Sequence, residues 1–393
     1  MLTSIVAAAV LHSTQKLTSP VEIPFRVVEN AIVVDAEVNG HRVAAVYDTG
    51  FSGSFALTES IDFGPPTGQA GIRDFVGTSS MNTYAIKSLK LGSLSINPGS
   101  MQIFGQQGFE GSWSYGTHVD GLMGLEVMMP YVCEINVQNS KFILHPDSDD
   151  ITQRTPDNKK TFLVKILPMG SRHIPIATKT PDGQTLVMAL DTGNAGYATT
   201  HPDSLARVGL WTEGKAPKWT YPSYIASGPV ETFSVAMKGA KVFGIPVEES
   251  VWNVINLPSS GAESDGTIGF QFLKNFNSTI DLKRRAVWME NFTGKFASEE
   301  DAATGITAFQ DREGKKMRVV RILSDSPAEK AGVKLGDVLM AIDDKVIGNL
   351  GMHRVSSMLK GPLGSKVKVQ VSRSGLLKTF VLDRVMLVNT LGK

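Results

Sequence analysis

Two copies of the tripeptide Asp-Thr-Gly are the residues of this sequence that could do chemistry together. They lie at Asp48-Thr49-Gly50 and at Asp191-Thr192-Gly193, 143 residues apart. Each copy follows an apolar stretch, so each aspartate is expected where a buried strand runs into a turn. Two carboxyl groups held side by side share a proton, since both cannot ionise. The ionised group can then accept a proton from a bound water while the other donates to a carbonyl oxygen, which is the chemistry of peptide-bond hydrolysis.

Further repeats accompany the two tripeptides. The segment Asp-Gly-Leu-Met-Gly at residues 120–124 returns as Asp-Gly-Thr-Ile-Gly at residues 265–269, at nearly the same interval after its tripeptide. Ile-Asn-Val at residues 135–137 returns as Ile-Asp-Leu at residues 280–282. A single Asp-Thr-Gly could be an ordinary turn, with the aspartate accepting from backbone N–H groups. Three matched landmarks in the same order instead predict a duplicated domain.

The segments around the tripeptides have the sequence patterns of β-strands. Residues 31–38 and 41–47 are alternating or apolar runs joined by Asn39-Gly40, a favoured hairpin turn. Sustained helical periodicity is absent from about the first 290 residues. Two small, mostly antiparallel β-barrels are therefore expected, packed about a pseudo-twofold axis within one monomer. A dimer in which each chain supplies one active half is made unnecessary by the duplication.

On these residues the sequence resembles the aspartic proteases of the pepsin and retropepsin type, over about residues 25–292. The wording is closest to duplicated, single-chain bacterial members. The resemblance implies a mainly β fold of two retropepsin-like barrel lobes in a pepsin-like bilobal arrangement, at residues 25–147 and 160–292. It implies that Asp48 and Asp191 are catalytic, and that a supporting grip and turn are formed by Thr49, Gly50, Thr192 and Gly193. Where that family commonly has Ser or Thr after the glycine, this chain has Phe51 and Asn194.

The resemblance also implies hairpins that cover the substrate. They are expected at about residues 73–84 and 221–232. The flap residues expected at their tips are Gly77, Thr78, Ser79, Ser227 and Gly228. Plain surface hairpins at the same places are an equal alternative.

A third domain is expected after a polar linker near residues 297–301. Residues 326–332 read Ser-Pro-Ala-Glu-Lys-Ala-Gly and residues 335–339 read Leu-Gly-Asp-Val-Leu, wording that resembles a small α+β PDZ domain over residues 302–388. The resemblance implies a carboxylate-binding loop followed by strand addition of a peptide, beside a groove helix at residues 352–359. The expected loop residues are Gly305, Ile306, Thr307 and Ala308. A PDZ domain that only packs on the rest of the chain is the alternative.

Composition excludes several other functions. The 39 basic and 38 acidic residues give a net charge of +1, which argues against a nucleic-acid partner. Cys133 is the only cysteine, so disulfide scaffolds and zinc sites with cysteine spacing are excluded. No metal or cofactor is expected. Residues 1–24 open with a short apolar run that fits either a signal segment or a disordered start, which leaves export and a cytoplasmic location both open.

The sequence therefore predicts an aspartic endopeptidase that hydrolyses peptide bonds through its carboxyl pair and uses a PDZ domain to recognise peptides or C-termini. Its partners would be a peptide or protein substrate and a C-terminal peptide at the PDZ groove. The alternative is a protease-like PDZ adaptor that binds and no longer cuts.

Overall fold

The computed structural model describes residues 17–73, 78–106, 117–169, 173–225, 228–259, 264–298, 302–311, 316–348 and 350–392. It is a mainly β structure with several sheets. The strands before residue 150 are β1 (Val21–Pro24), β2 (Arg26–Val28), β3 (Ala31–Val38), β4 (His41–Asp48), β5 (Phe55–Thr58), β6 (Gly68–Arg73), β7 (Thr78–Ala85), β8 (Leu89–Leu91), β9 (Leu94–Ile96), β10 (Gln102–Gln106), β11 (Gly121–Gly124), β12 (Val132–Asn136) and β13 (Lys141–His145).

Ten of these strands, β2 to β11, form the first sheet. The β3–β4 hairpin turns at Asn39 and Gly40, which have φ of +52° and +83°, as the sequence predicts for a two-residue turn. β4 lies beside β11 in parallel, and β5 lies beside β10 in parallel. The end of β4 is thereby buried in the middle of the sheet.

The second sheet repeats this plan. Its part of the chain contains β14 (Thr161–Lys165), β15 (Pro175–Lys179), β16 (Thr185–Leu190), β17 (Ala198–Thr200), α1 (Pro202–Arg207), β18 (Tyr221–Ile225), β19 (Gly228–Lys238), β20 (Lys241–Val242), β21 (Ile245–Pro246), β22 (Glu249–Ile255), β23 (Gly266–Ile268), α2 (Phe270–Leu273), β24 (Phe276–Asp281) and β25 (Ala286–Asn291). The order β7-β10-β5-β11-β4-β3 in the first sheet corresponds to β19-β22-β17-β23-β16-β15 in the second. The parallel pairs recur as well, with β23 beside β16 and β22 beside β17.

A six-stranded sheet joins the two halves of this region. Its order is β1-β13-β12-β24-β25-β14, and the β12–β24 pair sets Cys133 opposite Ile280. One apolar core runs continuously from the first half into the second. The ordered fold begins before residue 25, since Val21–Pro24 pairs with Lys141–Leu144.

The C-terminal domain has a core of its own. It contains β26 (Ala302–Ala303), β27 (Ile306–Gln310), β28 (Met317–Ile322), α3 (Pro327–Lys330), β29 (Val338–Ile342), β30 (Lys345–Val346), α4 (Met352–Leu359), β31 (Lys360–Gly361), β32 (Lys366–Arg373) and β33 (Leu376–Asp383). The side chain of Ser326 caps α3 by accepting from the backbone N–H of Glu329. Val355 and Leu359, four residues apart on α4, are buried in this core.

Hydrogen bonds and ion pairs join the C-terminal domain to the second half. Trp219 Nε1 donates to the Ser324 carbonyl at 3.0 Å, and Arg321 forms an ion pair with Glu231 at the base of the β18–β19 hairpin. After β33 the chain returns, and the side-chain oxygen of Asn389 accepts from the backbone N–H of Lys218 at 2.6 Å. Within the described residues, no helix is long and apolar enough to cross a membrane.

Candidate functional site

The loops after β4 and β16 bring Asp48 and Asp191 face to face. Asp48 Oδ1 accepts from the N–H groups of Gly50 at 2.8 Å and Phe51 at 3.1 Å. Asp191 Oδ1 accepts in the same way from Gly193 at 2.9 Å and Asn194 at 3.1 Å. The two loops are therefore copies of one turn, with both carboxyl groups held by backbone donors.

The glycines of the two tripeptides allow this close approach. A Cβ atom on Gly50 would lie 2.7 Å from Oδ1 of Asp191, and one on Gly193 would lie 2.4 Å from Oδ1 of Asp48. Each carboxyl group thus packs against the glycine of the opposite loop, and the two carboxyl groups influence each other's pKa. The sequence prediction that folding brings the two aspartates together agrees with this geometry.

The threonines of the tripeptides lock the loops together beneath the carboxyl groups. The N–H of Thr49 donates to Thr192 Oγ1, and the N–H of Thr192 donates to Thr49 Oγ1, both at 3.0 Å. The two hydroxyls donate to the carbonyls of Leu190 and Tyr47 at 2.8 and 2.7 Å. Both threonines are almost fully buried, at 0% and 1% exposure. These four bonds fix the separation of the carboxyl groups.

Burial and proximity give the two carboxyl groups different proton affinities. Burial raises the pKa of Asp48 well above its usual range, and the charge of Asp191 raises it further. Burial also raises the pKa of Asp191, but N–H groups of Asn194 and Gly193 and the Thr267 hydroxyl lower it. Both pKa values are raised, so the pair holds a shared proton to higher pH than a free carboxyl group does. The pair offers an acid and a base at one place.

Thr267 is a site residue that the sequence analysis did not single out. Neither Phe51 nor Asn194 has a hydroxyl group to donate to the carboxyl groups. The side-chain nitrogen Nδ2 of Asn194 donates instead to Thr199 at 3.0 Å and to Thr267 at 2.8 Å. The hydroxyl beside Asp191 comes from β23. The sequence signal for this residue is that Thr267 stands in the segment at residues 265–269 where the matching segment at residues 120–124 has Leu122.

The two expected covering hairpins correspond to β6–β7 and β18–β19. Thr78 and Ser79 lie in β7 and pair with Arg73 and Ile72. Gly228 begins β19, pairs with Ile225 and has φ of +122°. Gly77 and Ser227 lie outside the described residues.

The expected peptide-binding loop lies at the free edge of the C-terminal sheet. Gly305 has φ of +89°, and a Cβ atom there would lie 2.3 Å from Cβ of Ser326. Ile306, Thr307 and Ala308 begin β27, which pairs only with β28 in its sheet and packs beside α4. Among the described strands β27 is thus an edge, and a peptide could add to it as a further strand.

The geometry of this domain agrees with a family comparison. Residues 318–373 match the PDZ domain family. The C-terminal domain is a PDZ domain. This confirms the prediction made from the Ser-Pro-Ala-Glu-Lys-Ala-Gly wording.

The curated relatives are processing proteases. The chain is 27% identical over 93 residues to the carboxy-terminal processing protease CtpA of Bacillus subtilis, covering 23% of this chain and 20% of that protein. It is 30% identical over 80 residues to a probable CtpA-like serine protease of Staphylococcus haemolyticus, covering 20% of this chain and 16% of that protein. The chain thus spans about a fifth or less of the length of these relatives.

Two solved structures are similar to parts of the chain. The photosystem II D1 C-terminal processing protease shares 29% identity over 23% of this chain and 24% of its own, with a TM-score of 0.22. An aspartic proteinase from Irpex lacteus is matched over 70% of this chain and 98% of its own, at 14% identity and a TM-score of 0.42. At these scores neither likeness carries an argument about the fold.

These comparisons correct the assignment made from the tripeptides. The curated relatives are named carboxy-terminal processing proteases, and one named above is a serine protease, so the assignment to the pepsin and retropepsin family and to aspartic-type endopeptidases is wrong. The physical reason is that Asp-Thr-Gly specifies a tight turn with a carboxyl group held by backbone N–H groups. Such a local pattern does not by itself define a family. What the comparisons show of this chain itself is the PDZ domain.

Proposed function

We propose that this protein is a peptidase in which a PDZ domain binds peptide and a separate site between the two β halves carries out the hydrolysis. The observation that carries the proposal is the interlocked pair of loops that holds Asp48 against Asp191. The curated relatives support the protease class, since they are named as proteases. The proposed domains are residues 25–147 and 160–292, related by a pseudo-twofold axis, and the PDZ domain at residues 302–388.

Asp48 and Asp191 are the proposed catalytic residues. Asp191, whose Oδ1 accepts from two backbone N–H groups, is the proposed base, which accepts the proton of the group that attacks the carbonyl carbon. Asp48, whose pKa burial raises, keeps a proton that it can donate to the carbonyl oxygen or the leaving amine. General acid and base groups of this kind contribute about 10²- to 10⁴-fold each. Thr49, Gly50, Thr192 and Gly193 act by positioning the pair, and the two hairpins are proposed to cover bound peptide.

The decisive experiment measures hydrolysis of a protein substrate and a peptide library by the full chain. Asp48→Asn and Asp191→Asn should each lower kcat/KM by at least about 100-fold. Asp35→Asn is the matched control, because Asp35 pairs only with Arg26 on the surface, with 75% of its side chain exposed. Either variant keeping near wild-type turnover overturns the assignment of these residues.

A second arm of the experiment uses a fluorophosphonate probe, which labels activated serines covalently. Labelling of one serine, with hydrolysis retained in both asparagine variants, would place the chemistry elsewhere in the chain. No hydrolysis by the wild-type chain under any condition would overturn the peptidase proposal itself.

The proposed role of the PDZ domain is tested by binding. A peptide with a free C-terminal carboxylate should bind the full chain, and the same peptide with an amidated C-terminus should bind at least about 10-fold more weakly. Gly305→Val should abolish the difference, because φ of +89° and the contact with Ser326 leave no room for a side chain. Equal binding of both peptides would leave the domain a packing module.

A further inference from the structure

The two halves of the candidate site have equivalent positions, and the pairing of the strands defines them. β5, β10 and β11 in the first half correspond to β17, β22 and β23 in the second. Phe104 pairs with Ala56 in the first half, and Asn253 pairs with Thr199 at the equivalent place in the second. Each half therefore presents its own wall beside its own aspartate, and the residues of the two walls can be compared one by one.

The wall of the first half is apolar. Phe51 lies three residues after Asp48, and its ring meets that of Phe104 edge to face with centroids 5.8 Å apart. A Cβ atom on Gly53 would lie 2.6 Å from Phe51 Cζ and 2.7 Å from Phe104 Cε2. Both rings are only half-buried, so part of each aromatic surface is open.

The wall of the second half has the same shape and the opposite chemistry. Asn194 lies three residues after Asp191, where the first half has Phe51. A Cβ atom on Gly196 would lie 3.2 Å from Asn194 Oδ1 and 3.0 Å from Asn253 Nδ2, as Gly53 lies between two phenylalanines. Two aromatic rings are thus replaced by two amides around an equivalent glycine.

The difference continues into the neighbouring strands. Strand pairing makes Ala56 equivalent to Thr199, Leu122 equivalent to Thr267 and Thr83 equivalent to Ser234. In the second half these hydroxyls and the amides form a polar network of two hydrogen-bonded groups. Its hydrogen bonds join Asn194 to Thr199 and Thr267, and Tyr221 to Ser234 and Asn253.

One donor of this network is available to a ligand. Asn253 Oδ1 accepts from the Tyr221 hydroxyl at 2.9 Å and from Ser234 Oγ at 3.4 Å, which orients the amide. Asn253 Nδ2 then points toward Gly196, and the hydrogen bonds recorded among the described residues include none from this nitrogen. Asn253 is half-buried, and it pairs with Thr199, which in turn pairs with Thr267 next to Asp191.

We propose that the site cleaves peptide bonds flanked by two chemically different side chains, an apolar one against Phe51 and Phe104 and a hydrogen-bond acceptor against Asn253. This specificity rests on the proposed function. An apolar side chain gains about 25 cal/mol for each Å² that it buries on the aromatic wall. On the polar wall it would leave a donor unpaired, whereas a side chain with a carbonyl or hydroxyl oxygen pairs with it. The substrate class is therefore a bond between an aromatic or aliphatic residue and Asn, Gln, Ser or Thr.

The test maps cleavage sites in a proteome-derived peptide library by mass spectrometry, using the full chain. Wild-type sites should combine an apolar residue on one side of the cut bond with an acceptor residue on the other, each enriched at least about 3-fold. Apolar residues enriched equally on both sides would overturn the proposal. A chain that cuts nothing would refute the proposed function instead, so the two failures are distinguishable.

Two substitutions assign the preference to the polar wall. Asn253→Leu should move the acceptor position to apolar residues by about 10-fold or more in relative kcat/KM. Asn253→Asp keeps an oxygen for Tyr221 and replaces the free donor by an acceptor, so it should favour Lys and Arg there. Asn256→Leu is the matched control. Asn256 is exposed and lies just after the end of β22, so this substitution should leave the cleavage map unchanged. An unchanged map in a folded Asn253→Asp variant would show that Asn253 does not set the preference.

Discussion

Removal of the Thr267 hydroxyl should shift the titration of the carboxyl pair. Thr267 is only 5% exposed, and its hydroxyl lowers the pKa of Asp191 because it favours the ionised carboxylate. Thr267→Val should therefore raise the pKa of the base. A hydrogen bond to a charged group is worth about 1.5–3 kcal/mol, so the loss should lower kcat/KM on the acidic limb by up to roughly 10- to 100-fold.

The measurement is the pH profile of kcat/KM with a peptide that the wild-type chain cleaves. The acidic limb reports ionisation of the base in the free enzyme, so it should move to higher pH in Thr267→Val. Thr267→Ser keeps the hydroxyl and should leave the limb in place. Infrared titration of the carboxylate band in ¹³C-aspartate-labelled protein gives the same shift without turnover. An unmoved limb and an unmoved band in the valine variant would refute the argument that this hydroxyl polarises the pair.

Three further predictions concern stability. Burial raises the pKa of Asp48 in the folded state. Wild-type stability therefore falls as pH rises above about 3.9, the pKa of an aspartate in an unfolded chain. Asp48→Asn should raise Tm at pH 7 more than at pH 4, and a gain confined to pH 4 would contradict this. Thr49→Val leaves the buried N–H of its partner loop unpaired and should lower the free energy of unfolding by about 2–4 kcal/mol in urea titrations, whereas Thr49→Ser should stay within about 1 kcal/mol. Burial raises the pKa of Glu29 to about 7, although Arg354 of the PDZ domain lowers it in part. The stability that protonated Glu29 contributes is lost as pH rises from about 4.5 to 7, so the Tm of Glu29→Gln should exceed that of wild type by a margin that grows over this range and is constant above it. A margin that does not change with pH would contradict this.

The parts of the fold that could be predicted from the sequence are those with local causes. The Asn39-Gly40 turn follows from two residues that adopt positive φ. The groove helix at residues 352–359 is implied by the resemblance of the C-terminal sequence to PDZ domains. The meeting of Asp48 and Asp191 could be inferred because the duplication repeats a whole series of landmarks. Each of these signals is carried by neighbouring residues or by a repeated pattern.

Other features depend on contacts between distant segments, and the sequence gives no local sign of them. Thr267 acquires its role from β23 lying beside β16, and Asn389 acquires its role from the chain returning to β19. The error in the family assignment has a related cause. The tripeptides describe a turn correctly, but the relationships of the whole chain are not contained in six residues.

The β12–β24 pair has a consequence for how the molecule can move. Since Val132–Asn136 of one half pairs with Phe276–Asp281 of the other half inside a continuous core, the halves cannot swing apart without breaking a central ladder. Rigid-body breathing is thereby suppressed, and amide protons of β12 and β24 should exchange only on global unfolding. Entry of a long chain between the aspartates must then depend on displacement of the β6–β7 and β18–β19 hairpins. Because Glu231 on the second hairpin is ion-paired to Arg321 of the PDZ domain, that displacement is mechanically linked to the domain that binds peptide.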